Sequence, residues 1–75
     1  MPFIEMTGAT LDRILAEDEL HHEDLSSAGV GDGTIVRVNP QGDIEVRRPG
    51  GWDVIGGLLG EFEQRVKSET GLDWA

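Results

Sequence analysis

The chain contains no cysteine, which excludes a disulfide framework and thiolate zinc sites as means of stabilising its 75 residues. A domain of this size buries only about 60% of the surface that its unfolded chain exposes, so its stability is marginal. The absence of thiols also fits a reducing compartment. The length predicts one small acidic domain that spans residues 1–75.

Long apolar runs are also missing. No stretch approaches the roughly 20 residues that a transmembrane helix requires. Residues 1–6 carry an acid and lack the basic start of a secretory signal peptide. We therefore expect a soluble, cytoplasmic protein that makes no membrane contact.

Basic residues are scarce: six Lys and Arg against 15 Asp and Glu give a net charge of −9. Residues 1–33 hold eight of the acids and one base. Because phosphate affinity comes from Lys and Arg, direct binding to nucleic acid is disfavoured. The acidity either steers the chain toward a basic partner or serves solubility and adaptation to high salt.

The N-terminal part of the chain predicts a short strand followed by a helix. Residues 3–6 have the composition of a strand. Thr7 or Thr10 can cap a helix, because a threonine hydroxyl accepts a hydrogen bond from a free backbone N–H of the first turn. Apolar residues then recur at helical spacing at Leu11, Ile14 and Leu15.

An acidic run ends this helix. Residues 17–24 hold five carboxylates and two histidines, and carboxylates near a helix C-terminus oppose its dipole. Pairs such as Glu17 and His21 have the i,i+4 spacing that can present two ligands to a metal, and either histidine can sense pH. A solvated connector within a loop over residues 21–33 is the preferred interpretation.

Residues 34–48 predict a β-hairpin around the turn at 39–42. Pro40 suits a φ near −65°, and Gly42 suits the positive φ of a three-residue turn with a glycine bulge. Counting outward pairs three residues of each strand: Val38 with Ile44, Arg37 with Glu45, and Val36 with Val46. This register places apolar residues on one face of the hairpin and charged residues on the other, whereas a slip of one residue would mix the two.

Residues 53 to about 70 predict an amphipathic helix that packs on the apolar face of the hairpin. Apolar residues recur at steps of three and four at Trp52, Ile55, Leu59, Phe62 and Val66. Gly71 suits the left-handed position after the last turn, with Leu72 as its hydrophobic contact. The order β-α-β-β-α predicts a small α+β domain, and it leaves open whether the first strand joins the hairpin's sheet.

Three glycines interrupt this predicted helix. Gly56, Gly57 and Gly60 together cost about 2–3 kcal/mol relative to alanine. Gly56 and Gly60 share one helical face, where another backbone can approach closely. That backbone belongs either to the chain's own hairpin or to a second protomer or partner protein. Alternatively, the helix starts near Leu58 and the glycines are part of a loop.

The two tryptophans are the remaining candidates for contact with a partner. Trp52 heads the apolar stripe and is expected in the core. Trp74 lies next to the C-terminus, where it either folds back on the core or anchors a partner. The candidate partner-binding residues are therefore Trp52, Gly56, Gly60 and Trp74.

No set of residues predicts catalysis, a metal site or a cofactor site. Ser26, His22 and Asp24 lie within five residues of a predicted loop, which lacks the fixed geometry that a catalytic triad requires. The glycine-rich stretch 29–33 precedes a strand and carries an acid, unlike a phosphate-binding loop. We interpret it and residues 49–51 as turns.

Two functions are consistent with these features. The first is a non-enzymatic protein-binding module, whose partner is either another protein or a second copy of the chain in a homodimer. The second is an acidic inhibitor or antitoxin-like protein that covers a basic, nucleic-acid-binding target. Residues 35–46, IVRVNPQGDIEV, also resemble the strand-turn-strand of AbrB-type DNA-binding dimers. They lack the basic turn residues of that family and are 12 of the 75 residues. The resemblance implies a DNA-binding dimer as a weaker alternative.

Overall fold

The computed structural model describes residues 3–16 and 22–74 and shows an antiparallel sheet with helices. In chain order the elements are β1 (Ile4–Thr7), α1 (Gly8–Ile14), α2 (His22–Ser27), β2 (Ile35–Val38), β3 (Asp43–Arg48), β4 (Gly51–Gly57) and α3 (Phe62–Thr70). The four strands lie side by side in the order β1-β2-β3-β4, each antiparallel to the next. The predicted α+β class is confirmed.

One side of the sheet forms the core together with the helices. Strand residues alternate between buried and accessible positions, as the period of two requires. The buried cluster joins strand residues Ile4, Met6, Val36, Val38, Ile44 and Val46 to Leu11, Ile14, Leu25, Val30, Leu58, Phe62 and Val66. No polar or charged side chain among the described residues is buried.

The predicted hairpin between β2 and β3 is confirmed, including its register. Val36 pairs with Val46, Arg37 with Glu45 and Val38 with Ile44, as counting from the turn predicts. In the turn, the Asn39 side-chain oxygen accepts hydrogen bonds from the backbone N–H groups of residues 41 and 43, at 3.0 and 2.9 Å.

Gly42 completes this turn in the left-handed region, with a φ of 88°. Its carbonyl accepts a hydrogen bond of 2.7 Å from the Leu58 N–H. A Cβ on Gly42 would lie 2.8 Å from the Leu58 carbonyl oxygen and 3.2 Å from the Phe62 ring. The position therefore requires glycine both for its backbone angle and for the close approach of the chain that leads into α3.

Strand β1 joins the hairpin's sheet, which the chain order leaves open. It pairs with β2 from Ile4, opposite Val38, to Thr7, opposite Ile35. Thr7 is the N-cap of α1, and its hydroxyl accepts a hydrogen bond of 3.3 Å from the Thr10 N–H. Helix α1 ends at Ile14, before the acidic run.

The start of α1 touches the backbone ahead of β2. Gly8 donates a hydrogen bond of 2.8 Å to the Thr34 carbonyl, and a Cβ on Gly8 would overlap the Gly31 carbonyl oxygen. The predicted loop over 21–33 is partly wrong, because residues 22–27 form α2. Leu25 in α2 is 3% exposed and extends the core.

The predicted helix over 53–70 is wrong in its first half. Residues 51–57 form β4, which pairs with β3 from Arg48, opposite Gly51, to Asp43, opposite Gly57. The intervening residues 49–50 make a tight turn that suits Pro-Gly. Glycines are poor helix formers, whereas Trp, Val and Ile favour strands, and these local preferences prevail here.

Strand β4 contains a β-bulge. Glu45 faces Val54 and Ile44 faces Gly56, so Ile55 is an extra residue in β4. Ile55 packs against the core, whereas Trp52 lies on the other side of the sheet. The step of three between them, which also fits a helix, therefore joins apolar residues on opposite faces of a strand.

Helix α3 occupies the second half of the predicted helix and ends as expected. It begins at Phe62, and its C-terminal Gly71 has a φ of 76° and donates a hydrogen bond of 2.8 Å to the Lys67 carbonyl. Leu72 is 54% exposed and contributes little to the predicted hydrophobic contact. Arg65 in α3 donates hydrogen bonds to the carbonyls of Ile14 and Leu59, which ties α3 to α1.

Candidate functional site

The described helices pack on one side of the sheet, and we call the other side the open face. It is made by the residues that alternate with the core positions: Phe3, Glu5, Ile35, Arg37, Asp43, Glu45, Arg47, Trp52 and Val54. All of them are half-buried or exposed. An antiparallel sheet with one uncovered face commonly places polar residues there, so the apolar members of this set are the informative ones.

Arg37 lies at the centre of the open face between two aromatic rings. Its guanidinium carbon is 3.7 Å from the centroid of the Phe3 ring and 4.1 Å from that of the Trp52 ring. Its Nη2 and Nε also donate hydrogen bonds of 2.8 and 3.0 Å to Glu45 Oε1. Stacking and ion pairing together fix one rotamer of a side chain that is otherwise mobile.

The register arranges most of the open face in two rows across the strands. The central row runs through Glu5, Arg37, Glu45 and Val54. The second row runs through Ile35, Arg47 and Trp52, and it meets β1 at Thr7, the N-cap of α1. Val54 is 60% exposed at the end of the central row, beside β4's outer edge. Each row therefore combines charged and apolar side chains.

The open face carries little net charge. Three acids and two bases give it a net charge of −1, while the remaining 12 acids and four bases give the rest of the chain −8. Arg37 and Glu45 neutralise each other within the face, and their side chains are 20% and 13% exposed. A partner of the open face therefore meets little uncompensated charge.

Both edges of the sheet carry features that discourage strand addition. Strand β1 has four residues. Strand β4 is longer, but it is interrupted by the bulge at Ile55 and carries Asp53 opposite the core residue Val46. Short edges, bulges and inward-facing charges are known protections against edge-to-edge pairing. The Asp53 carboxylate lies 3.4 Å from Arg48 Nη2 at this edge.

The structure separates the four residues predicted to bind a partner. Trp52 lies half-buried on the open face instead of in the core. Gly56 is in β4 opposite Ile44, and Gly60 precedes α3 with a φ of 64° and open space around its Cβ position. The shared helical face predicted for these two glycines does not exist. Their proposed contact with a partner loses that geometric basis.

Trp74 folds back onto the helix side of the molecule. Its ring meets the Phe62 ring edge-on, with centroids 5.9 Å apart, and it packs against the core. This is the first of the two placements considered for it. A shallow groove beside it is lined by Glu63, Gln64, Lys67 and Asp73. Trp52 and Trp74 therefore do not form one surface.

Sequence reasoning missed Phe3 and Arg37 as members of the site. The predicted pairing of Arg37 with Glu45 placed both residues on a charged face, but nothing near them in sequence indicates an aromatic clamp. The clamp needs one ring from the residue just before β1 and one from β4, and the sequence pattern assigned neither strand to this sheet. An arginine within a regular strand was the available signal.

Within residues 3–16 and 22–74, no three His, Cys, Asp or Glu side chains lie close enough to hold a metal ion. Most of the acidic and histidine-bearing run at 17–24, considered above as a metal or pH-sensing segment, lies outside the residues described. No described helix is long and apolar enough to cross a membrane.

Comparisons of the chain with protein-family models, with curated proteins and with solved structures find no match. The function must therefore be argued from the geometry of the site.

Proposed function

We propose that this chain is a non-enzymatic protein-binding module and that the open face is its binding surface. The observation that carries the proposal is Arg37, held between the rings of Phe3 and Trp52 beside the exposed Val54. Arginine and tryptophan are enriched at binding hot spots, and a fixed side chain loses little entropy when a partner covers it.

The chemistry of the open face supports a protein partner over nucleic acid or a substrate. Its two bases are opposed by three acids, and one of the bases already pairs with Glu45, so it offers little to a phosphate backbone. The residues that form it include no Ser, Cys, His or Lys, and Glu45, one of its three carboxylates, is already paired with Arg37. The mixed apolar and paired-charge surface is typical of protein interfaces.

The test is capture of partners by three forms of the tagged chain at low and high salt. The wild-type chain, Val54→Lys on the open face and Leu72→Lys on the helix side are compared. Val54 and Leu72 are 60% and 54% exposed, which makes the second variant a matched control. We expect a stoichiometric partner that persists at high salt and is lost with Val54→Lys alone. Equal capture by both variants would contradict the open face as the interface.

The acidic inhibitor remains a second candidate, because one observation favours it. The chain outside the open face carries a net charge of −8. Exposed acids such as Asp12, Glu61 and Glu63 lie at or near the helices. A basic target bound there would be released as salt rises, since screening weakens contacts between exposed charges. Glu61→Lys with Glu63→Lys should then weaken capture, whereas Val54→Lys should not.

The AbrB-type resemblance gains no support from the comparisons, and the open face offers little positive charge. We therefore keep the DNA-binding dimer as the weakest of the three alternatives. A mobility shift with duplex DNA at low salt is its direct test.

A further inference from the structure

Building on the proposed function of the open face, we propose that its partner is a second copy of this chain, bound face to face about a two-fold axis. Such an interface is isologous, so each copy contributes the same residues and the surface must complement itself. The charge, the edges and the register of the sheet each bear on this requirement.

The open face carries little charge that would hold two copies apart. Each copy carries −9, so many approaches bring like charges together. The open face carries −1, and its central Arg37–Glu45 pair is internally neutral. Repulsion between two opposed open faces is therefore small.

The sheet edges are poorer places for a second copy. If β4 of one copy paired with β4 of the second copy as regular antiparallel strands centred on Asp53, the two Asp53 residues would lie directly opposite each other. Like charges in that position are destabilising. Centring the pair on Val54 brings the bulged Ile55 into the ladder and disturbs it after a few residues. The shorter β1 offers four residues. Face-to-face packing avoids these obstacles.

A two-fold axis can set complementary residues of the two rows opposite each other. An axis that lies in the interface and crosses the strands between the rows sets each row of one copy over the other row of the second copy. Val54 then faces the second copy's Trp52, and Glu45 faces the second copy's Arg47, which is exposed in the single chain. The other two pairs, Arg37 with Ile35 and Glu5 with Thr7, add neither an apolar contact nor an ion pair.

The size of the face indicates how strong such a dimer can be. Four strands about 4.8 Å apart and four to seven residues long make a face about 19 Å wide and roughly 20 Å long. Its area of roughly 400 Å² is about half of the ~800 Å² that each partner contributes to a standard protein interface. The dimer should therefore be weak, with a Kd in the micromolar range. Its sheets would pack about 10 Å apart, with strand directions within about 30° of each other.

The experiment is sedimentation equilibrium of the full chain from about 1 µM to about 1 mM. We expect the apparent mass to rise toward twice that of one chain and the Kd to fall as salt is added, because salt screens the repulsion between two copies. Val54→Lys should raise the Kd about tenfold or more, and Leu72→Lys should leave it unchanged.

A second pair of variants tests the charge contact and does not depend on the first. Arg47→Glu sets an acid against the second copy's Glu45 and should also raise the Kd about tenfold. Lys67→Glu on α3 changes the net charge by the same amount at a side chain that is 60% exposed on the helix side. It should have little effect, and an equal effect of both variants would overturn the proposed register.

The outcomes separate this inference from the proposed function. A chain that stays monomeric over the whole concentration range but captures another protein through Val54 refutes the proposed homodimer and supports the binding module. A monomeric chain without a Val54-dependent partner refutes both. Dimerisation that resists Val54→Lys and Arg47→Glu places the contact elsewhere and overturns the inference.

Discussion

The two faces of the sheet are built from alternate residues of the same strands, yet they differ in composition and packing. On the inner face Val36, Val38, Ile44 and Val46 are fully buried and meet the helices. On the open face the intervening positions carry a clamped arginine, its acid partner and apolar side chains that no described helix covers. The inner face stabilises the fold by burial, and the open face is the surface that we propose for a partner. Substitutions on the two faces should therefore have separable effects.

The largest effect is expected from Ile44→Ala on the inner face. Ile44 is fully buried, and removing its side chain leaves a cavity that should cost about 2–5 kcal/mol of unfolding free energy. Chemical denaturation monitored by circular dichroism measures this loss. Val54→Ala, also at an aliphatic strand residue but on the open face, should cost less than about 1 kcal/mol. Similar losses for the two variants would contradict the division of roles.

Gly42→Ala should have the next largest effect, because it disturbs the contact between the hairpin turn and the chain entering α3. The added Cβ meets the Leu58 carbonyl, and the φ of 88° is strained for alanine. We expect a loss of about 1–3 kcal/mol, measured by thermal unfolding. Gly50→Ala is the control, since its Cβ position is open and its φ is not positive. It should be neutral or slightly stabilising.

Arg37→Lys tests how much the clamped arginine of the open face contributes to stability. Lysine keeps the charge but loses the planar stacking on two rings and the paired hydrogen bonds to Glu45. We expect a loss of about 1 kcal/mol in unfolding free energy. Fluorescence of Trp52, measured in a Trp74→Phe background, should change as well. Arg47→Lys, at an exposed position of the same face, should change neither quantity in the monomer.

Asp53→Val should have the smallest effect on monomer stability. The Asp53–Arg48 pair is exposed and worth about 0–1 kcal/mol. Removing the acid also removes a protection of the β4 edge, so we expect concentration-dependent aggregation through that edge. Light scattering measures it. Glu63→Val on α3 adds the same side chain away from the edge, and equal aggregation of both variants would show that hydrophobicity alone is responsible.

The hairpin of β2 and β3 could be predicted from the sequence because local signals agree there. Pro40 and Gly42 define the turn, and the alternation of the flanking residues leaves one register. The cap at Thr7 and the C-terminal Gly71 were likewise predictable from short-range chemistry. These elements need no information from distant parts of the chain.

Strand β4 could not be recognised from apolar spacing, because its apolar residues lie on both faces of the sheet, with Trp52 and Val54 on the open face and Ile55 against the core. The turn residues Pro49 and Gly50 and the glycines within the segment argued against a helix, and the structure agrees with them. The clamp around Arg37 depends on this strand and on β1. Its absence from the sequence prediction follows directly from the misassigned segment.

The position of the two rings also has a consequence for how the domain folds. Strands β2, β3 and β4 follow one another with short turns, so their pairing closes only small loops and can form early. Strand β1 must close a much longer loop before it meets β2. Trp52 lies in one outer strand and Phe3 directly precedes the other, so Arg37 acquires both rings only when the last strand has docked. We therefore expect its clamp to form after the folding transition state, and its loss to accelerate unfolding more than it slows folding.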